Sequence, residues 1–467
     1  KNQRMELVNA CLRANELRFI KRFSHYGKLA EMAGWFQDHP SGMLYIGDQF
    51  IVDLLVWYHL AWMGETVRRN NTLVQQLMKK GTGFGLQERR QLLKLIGELL
   101  SSVIDAYRTL AERGQIELSM SPYAHPIIPL LLDLDCAREA MPDITMPALA
   151  SYPGGEERAR WHIEEGISTF EQFFNVRPTG CWPSEGGVSE ATLRQLEDHG
   201  FSWAASGESV FRHSMAHPAN KDIADKGLYQ GFRVGDGRLA CFFRDDGLSD
   251  LIGFTYSDWH ADDAVNNLIQ HLDNIADSTR NQPAALVSII LDGENAWEHF
   301  PENGYYFLNT LYKRLAAHPG INMTTYSDYL QTARRQPSLK QLVSGSWVYG
   351  TFSTWIGDKD KNRGWEMLVD AKRMFDATLA EDTLSGEQQL AASHQLSICE
   401  GSDWFWWFGD YNSADTVSDF EHLFRMHLSN LYNLLGKEPP DYLSRIFAYG
   451  GGDPLQSGVM RKGQFTG

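Results

Sequence analysis

The sequence predicts an α/β protein built around a β/α barrel and followed by a helical C-terminal region, and three features predict it. From Gly114 to about residue 335, short apolar runs bounded by Gly, Pro or polar residues alternate with longer helical patterns. Beyond that stretch strands become scarce. Ahead of it, residues 1–113 read as helices, broken by one glycine cluster. Alternating strands and helices over this length imply a parallel sheet, and the repetition favours closure into a barrel.

The elements follow in order. Leu7, Cys11, Leu12 and Leu17 recur at helical spacing, as do Val52, Leu55, Trp57, Leu60 and Trp62. Gly81-Thr82-Gly83-Phe84-Gly85 interrupts the pattern. No strand precedes it, so it reads as a loop and not as a phosphate cradle. A long helix over 88–113 carries Leu92, Leu93, Leu95, Ile96, Leu99, Leu100 and Val103 on its apolar side and stops at Gly114. Expected strands are Ile116–Met120, Gly180–Trp182, Phe201–Ala205, Leu239–Phe243, Leu286–Leu291 and Ile321–Thr325. Helices are expected over 157–174, 189–199, 263–278 and 303–317, and a hairpin turn at Gly235-Asp236-Gly237. Further helices over 363–381, 386–396 and 415–436 form the C-terminal region. The expected division is a catalytic barrel domain over 1–334, with a helical insertion at 1–113, and a helical domain over 335–467.

Composition narrows the function. A chain of 467 residues with 43% hydrophobic content supports a large catalytic domain and a smaller one. Its net charge of -16 argues against nucleic acid, which wants a basic surface, and suits a neutral polymer. Cys11, Cys136, Cys181, Cys241 and Cys399 are scattered and form no C-x-x-C pair, so neither a disulfide framework nor a zinc knuckle is expected. A reducing cytoplasm fits this usage. No apolar run of about 18 residues predicts a membrane span, and no signal peptide opens the chain. H-E-x-x-H, G-x-S-x-G and G-x-x-x-x-G-K-[ST] are absent, and His260-Ala261-Asp262-Asp263 reads as a helix start. No metal or cofactor is expected.

Chemistry-bearing clusters sit just after several expected strands: Ser121–His125, Trp182–Glu185, Arg244–Asp246 and Asp292–Glu294. In a β/α barrel the loops after the strands build the active site. Glu185 follows Trp182-Pro183-Ser184 and precedes Gly186-Gly187, where Ser189 can cap the next helix. Composition alone leaves Glu185 equally open to being a solvated loop glutamate. Asp292 ends the apolar run Leu286–Leu291, a rigid place for an acid; partial burial there would raise its pKa and suit it to proton donation. Glu294 and Glu298 compete for that role from further along. Two carboxylates on different strands fit glycoside hydrolysis, and a retaining mechanism places them about 5–5.5 Å apart. His125 is a candidate for a sugar hydroxyl or a structural loop histidine. Arg244 is a candidate to orient a carboxylate or a salt-bridge residue. Trp182, Trp259, Trp297, Trp347, Trp355 and Trp404 are candidate stacking platforms, against ordinary core packing.

On these residues the chain resembles glycoside hydrolase family 57, the α-amylase, 4-α-glucanotransferase and glucan-branching family, over nearly its whole length. Gly114-Gln115-Ile116-Glu117 to His125-Pro126 resembles the second family signature. Trp182-Pro183-Ser184-Glu185 resembles the third, and the resemblance implies that Glu185 is the nucleophile. Leu291-Asp292-Gly293-Glu294 resembles the fourth and implies that Asp292 is the acid/base. Trp347 to Trp355-Ile356-Gly357, with Lys361-Asn362 and Trp365, resembles the fifth, and Ser402-Asp403-Trp404-Phe405-Trp406-Trp407 is similar to amylase-like members. The resemblance implies an incomplete (β/α)₇ barrel, a C-terminal helical domain that completes the cleft, and an α-glucan substrate cleaved by double displacement. It leaves hydrolase, glucanotransferase and branching enzyme open. The family's first signature, His-Gln-Pro, does not occur. The expectation is that the chain begins after the strand that carries it. An impaired carbohydrate-binding fragment is the competing expectation. A zinc-dependent mannosidase or deacetylase is a third, for which only His125 qualifies by position.

Overall fold

A computed structural model describes residues 2–293, 296–333 and 335–452. Helices dominate, and the strands are few and short. The chain forms two compact units. One comprises Lys1–Ala106, Leu251–Asp277 and Leu291–Met323; the other comprises Tyr107–Asp250, Ser278–Ile290 and Thr324–Gly467. We call them the first and second units.

The first unit is helical. Val8, Tyr26, Leu54, Trp57, Leu60, Leu77 and Phe84 form its core. The glycine cluster 81–85 is the loop that its composition predicts. The buried Asp53 carboxylate accepts the N–H groups of Gly83 (2.9 Å) and Phe84 (3.0 Å), satisfying backbone that no ladder pairs. The long helix is Leu86–Glu112, but Leu92 is its only fully buried residue among those described. Leu93, Leu100 and Val103 of the expected apolar side are exposed.

The second unit holds a parallel sheet. β1 (Gly180–Cys181) pairs with β2 (Trp203–Ser206), which pairs with the later β4 (Ala240–Phe243). The register sets Gly180 against Trp203 and Ala204 against Cys241. All residues of these strands are buried, as a sheet covered on both faces requires. Gly180 is obligatory: a Cβ there would stand 1.9 Å from the Trp203 ring. The helix Gly155–Phe174 lays Ala159, Ile163, Ile167 and Phe170 into the core shared with Cys181, Ala204 and Cys241. Ser189 caps Glu190–Asp198 by accepting from the Thr192 N–H, as expected.

Three expected strands turn out otherwise. From Ile116–Met120 only Met120 bridges, in parallel with Cys181. Leu286–Leu291 makes no ladder; it is held by single bonds, Leu286 N–H to the Tyr229 carbonyl (3.0 Å) and Asp245 N–H to the Ser288 carbonyl (2.8 Å). In Ile321–Thr325 the residues Asn322, Met323 and Thr324 are exposed, so the run has no buried face to recruit a partner, and Thr325 caps the helix Tyr326–Thr332. The turn at Gly235 does return the chain, with Phe232 and Cys241 exchanging both backbone bonds (2.9 and 2.7 Å). β3 (Arg233–Val234) pairs in parallel with β5 (Ser338–Leu339).

The helices Lys359–Ala380, Gly386–Cys399 and Ala414–Leu434 pack with residues 127–152 into one further core. The five cysteines are free and buried. Among the described residues no helix is long and apolar enough to cross a membrane.

Candidate active site

Glu185 lies two residues before the end of the glycine pair that follows β1, in the one-turn 3₁₀ segment Ser184–Gly186. Its own backbone is left-handed, at φ 56° and ψ 27°. That conformation costs an L-residue on the order of 1 kcal/mol and persists only where the surroundings over-determine it. The surroundings are Trp347. Its N–H donates to the Glu185 carbonyl (3.1 Å), and its indole Nε1–H donates to Glu185 Oε2 (3.1 Å). A single residue thus fixes both backbone and carboxylate. Gly186 and Gly207 make room for it: a Cβ on Gly186 would meet the Trp182 ring at 2.9 Å, and one on Gly207 the Trp347 Cα at 2.6 Å. Trp182 packs edge-on against Trp347, with centroids 5.1 Å apart.

Behind Trp347 stands Arg244, the residue after β4. Its guanidinium lies 5.1 Å from the Trp347 ring centroid and is buried. It pairs with Asp246 (3.1 Å) and Asp250 (2.7 Å), and its Nε–H donates to the Ile290 carbonyl (3.2 Å). Burial lifts the Asp246 carboxyl to about 7; Arg244 opposes this, while Glu208 and Asp250 add to it. The Asp246 N–H donates to Glu208 (3.0 Å). The sequence pattern singled out Arg244 but not Glu208, which looks like any first-turn helix glutamate until the fold buries it.

His125 occupies a second left-handed turn, with Ala124 at φ 56° and His125 at φ 59°. Ser402 clamps it: the two share a hydrogen bond between Nδ1 and Oγ (2.8 Å), and the Ser402 N–H donates to the His125 carbonyl (2.9 Å). Two residues earlier in the chain is Glu400, fully buried. It accepts from Arg158 (2.7 Å), His162 Nε2 (2.7 Å) and the Tyr152 hydroxyl (2.5 Å). Burial alone would raise this carboxyl, but Arg158 and His162 outweigh burial and hold it down at about 2. His162 Nδ1 in turn meets the Tyr123 carbonyl (2.6 Å), tying the network to the turn that carries His125. Sequence reading missed Arg158, His162 and Glu400. A lone glutamate ahead of Gly401, just past the helix Gly386–Cys399, was the available signal.

The second unit therefore brings Glu185, Trp182, Trp347 and Arg244 together, and anchors His125 on Ser402. Two expected platforms are corrected. Trp355 is fully buried, and Trp404 is buried with its Nε1–H on the Ile398 carbonyl (2.7 Å) and its ring against Phe424 and His427. Neither has a free face in this conformation, because the C-terminal helices use aromatic rings as core. Lys361 of the same motif is likewise structural: its buried ammonium donates to the Thr354 (2.6 Å) and Phe408 (2.7 Å) carbonyls. In the first unit, Asp292 is half-buried just beyond the extended run, and Trp297 packs on Phe300 (5.4 Å) and under Gly304. Glu294 lies outside the described residues. Among the described residues no group of three or more His, Cys, Asp or Glu side chains is placed to hold a metal ion.

The sequence profile of glycosyl hydrolase family 57 matches residues 12–341, well over half of the chain, and the chain belongs to that family of enzymes. Among solved structures it is similar to the family 57 branching enzyme of Thermococcus kodakaraensis, at 14% identity and a TM-score of 0.58 over 83% of this chain and 79% of that one. The family 57-type branching enzyme of Pyrococcus horikoshii aligns at 15% identity and 0.55 over 85% of each chain. The α-amylase AmyC of Thermotoga maritima aligns at 14% and 0.57 over 82% and 80%. At these identities the likeness establishes the fold. No curated protein matches the sequence.

Proposed function

We propose that this chain is a retaining α-glucan-active enzyme that cleaves α-1,4-glucosidic bonds by double displacement, with Glu185 as nucleophile and Asp292 as acid/base. The observation that carries the reading is the Glu185 turn. A left-handed glutamate, held at both backbone and carboxylate by one tryptophan, is a rigid anionic group after a strand. A nucleophile needs that rigidity, since misplacement by about 1 Å can cost on the order of 100-fold in rate. The indole Nε1–H orients the carboxylate that attacks the anomeric carbon. In the first step Glu185 displaces the leaving oxygen, which takes a proton from Asp292; in the second, Asp292 deprotonates the acceptor that releases the sugar. Arg244 acts through Trp347, and His125, Trp182 and Trp297 contact sugar. The fold class proposed is an incomplete (β/α)₇ barrel whose helical C-terminal region completes the cleft.

The acceptor decides between hydrolase and transferase. Branching enzymes stand among the similar solved structures beside an amylase, which favours carrying glucanotransfer as the second reading. Incubation with maltoheptaose tests both. Glu185→Gln is expected to lower bond cleavage by at least about 1,000-fold, and Asp292→Asn comparably. Unchanged cleavage by Glu185→Gln overturns the assignment. Short products alone identify a hydrolase; products longer than the substrate identify a transferase.

A further inference from the structure

The first unit carries a cavity of about 330 Å³ that no signature residue explains. That volume lies at the small end of ligand pockets, about 300–1,000 Å³. Tyr256, Trp259, His260, Asp262, Glu302 and Tyr306 are among its lining residues. Trp259 is 42% exposed and Tyr306 49% exposed, so two large aromatic side chains of the lining are open to solvent. Both are braced from behind. Trp259 packs on the buried Tyr256 (centroids 5.4 Å apart), whose hydroxyl donates to Asn267 (2.7 Å). Tyr306 accepts at its hydroxyl from Arg69 (2.7 Å), with the guanidinium 5.1 Å from its ring centroid.

The wall beside them is a built feature. Glu302, Asn303 and Gly304 run consecutively left-handed, at φ 51°, 53° and 72°. Two of the three are not glycine, and such backbone survives only when fixed from outside. Arg68 donates to Asn303 Oδ1 (2.6 Å), and Arg22 pairs with Glu302 (3.6 Å). Asp262 stands in the first turn of the helix Ala261–Ser278, where the helix dipole favours its charge. The two carboxylates are thus compensated from behind, by Arg22 and by the helix. No Lys or Arg lines the cavity, so a phosphate or other anion would meet carboxylates with no lysine or arginine beside it to bind. Flat aromatic faces beside acceptor oxygens suit a ligand with C–H faces and hydroxyl donors, which is a neutral sugar ring.

We propose that this cavity is a carbohydrate-binding site for a glucosyl residue, with Trp259 and Tyr306 as stacking faces and Asp262 and Glu302 as hydroxyl acceptors. Glucose as the sugar rests on the α-glucan reading above; a sugar as the ligand rests on the cavity alone. The test is calorimetric titration of the full chain carrying Glu185→Gln, to prevent turnover, with maltoheptaose, cellohexaose and choline. Adding Trp259→Ala is expected to weaken maltoheptaose about fivefold or to remove one binding event, while Trp259→Phe keeps most of the affinity. Asp262→Asn, which preserves shape, is expected to weaken it about threefold. Affinity and stoichiometry unchanged by both Trp259→Ala and Asp262→Asn overturn the site. Choline binding that Trp259→Ala abolishes, with maltoheptaose unaffected, also overturns it and marks a cation cage. Cellohexaose bound in place of maltoheptaose keeps a sugar site and removes glucose polymers of the α kind. Cleavage by Glu185→Gln measured alongside reports on the catalytic reading separately, so either can fail without the other.

Discussion

Asp246 and Glu400 are both buried carboxylates facing a buried arginine, and they respond in opposite directions. Glu400 is held at about 2, against an ordinary value of 4.5, whereas Asp246 is pushed up to about 7, against 3.8. Burial pushes both upward. The difference is what remains after burial. Glu400 has a two-pronged arginine, an imidazole and a phenol to itself. Asp246 shares Arg244 with Asp250, stands near Glu208, and has one carboxylate oxygen without a hydrogen-bond partner. A buried arginine therefore does not by itself stabilise a carboxylate; the count of donors against competing anions decides. The first cluster is a fixed anchor for the turn carrying His125. The second is a finely balanced support under Trp347.

This contrast can be broken at four points. The largest effect is expected from Glu400→Gln, which strands Arg158: urea unfolding should show a loss of about 3–5 kcal/mol at neutral pH. The wild-type contribution is fully present above 4.5 and is lost as pH falls towards about 2, so the variant should also lack the acid-side decline in that window. Next comes Arg244→Met. If Arg244 supports Trp347 and through it Glu185, kcat/KM for maltoheptaose should fall on the order of 100-fold with a smaller stability loss than Glu400→Gln. A loss of stability with activity per folded molecule intact would make Arg244 a packing residue only.

Asp246→Asn should act with the opposite sign to Glu400→Gln. A carboxyl raised in the folded state contributes most below 3.8 and loses that contribution as pH rises to about 7. The variant should therefore flatten the stability profile across that window and hold or gain on the order of 1 kcal/mol above it. A wild-type profile without that slope would show that Asp246 is not protonated near neutrality. Smallest is Ser402→Ala, which frees His125 Nδ1 of one partner: KM should rise about twofold to tenfold with kcat little changed. Equal KM values would remove His125 from sugar contact.

Much of the site was legible because its local chemistry is punctuated. Pro183, Ser184 and the glycine pair announced the turn at Glu185, and the apolar run Leu286–Leu291 marked the extended segment beyond which Asp292 stands half-buried. The helix start at Ala261, the cap at Ser189 and the loop at 81–85 were legible for the same reason. What misled was treating motif membership as role. Trp347 and Trp355 stand in one stretch, yet Trp347 bonds Glu185 while Trp355 is core. Ile321–Thr325 has strand composition but no buried face, so propensity alone did not make it a strand.

By itself the sequence determined the family, the three strands of the parallel sheet and the small-residue turn that presents Glu185, because backbone punctuation and short motifs act over a few residues. Only the tertiary structure decided which tryptophan holds the glutamate, which tryptophans are core, and whether a buried acid is pulled down or pushed up. Those outcomes depend on what the fold brings within a few ångströms from distant parts of the chain, as with Glu185 and Trp347 or Arg158 and Glu400. Desolvation and charge pairing are set by that neighbourhood, and no local pattern encodes it.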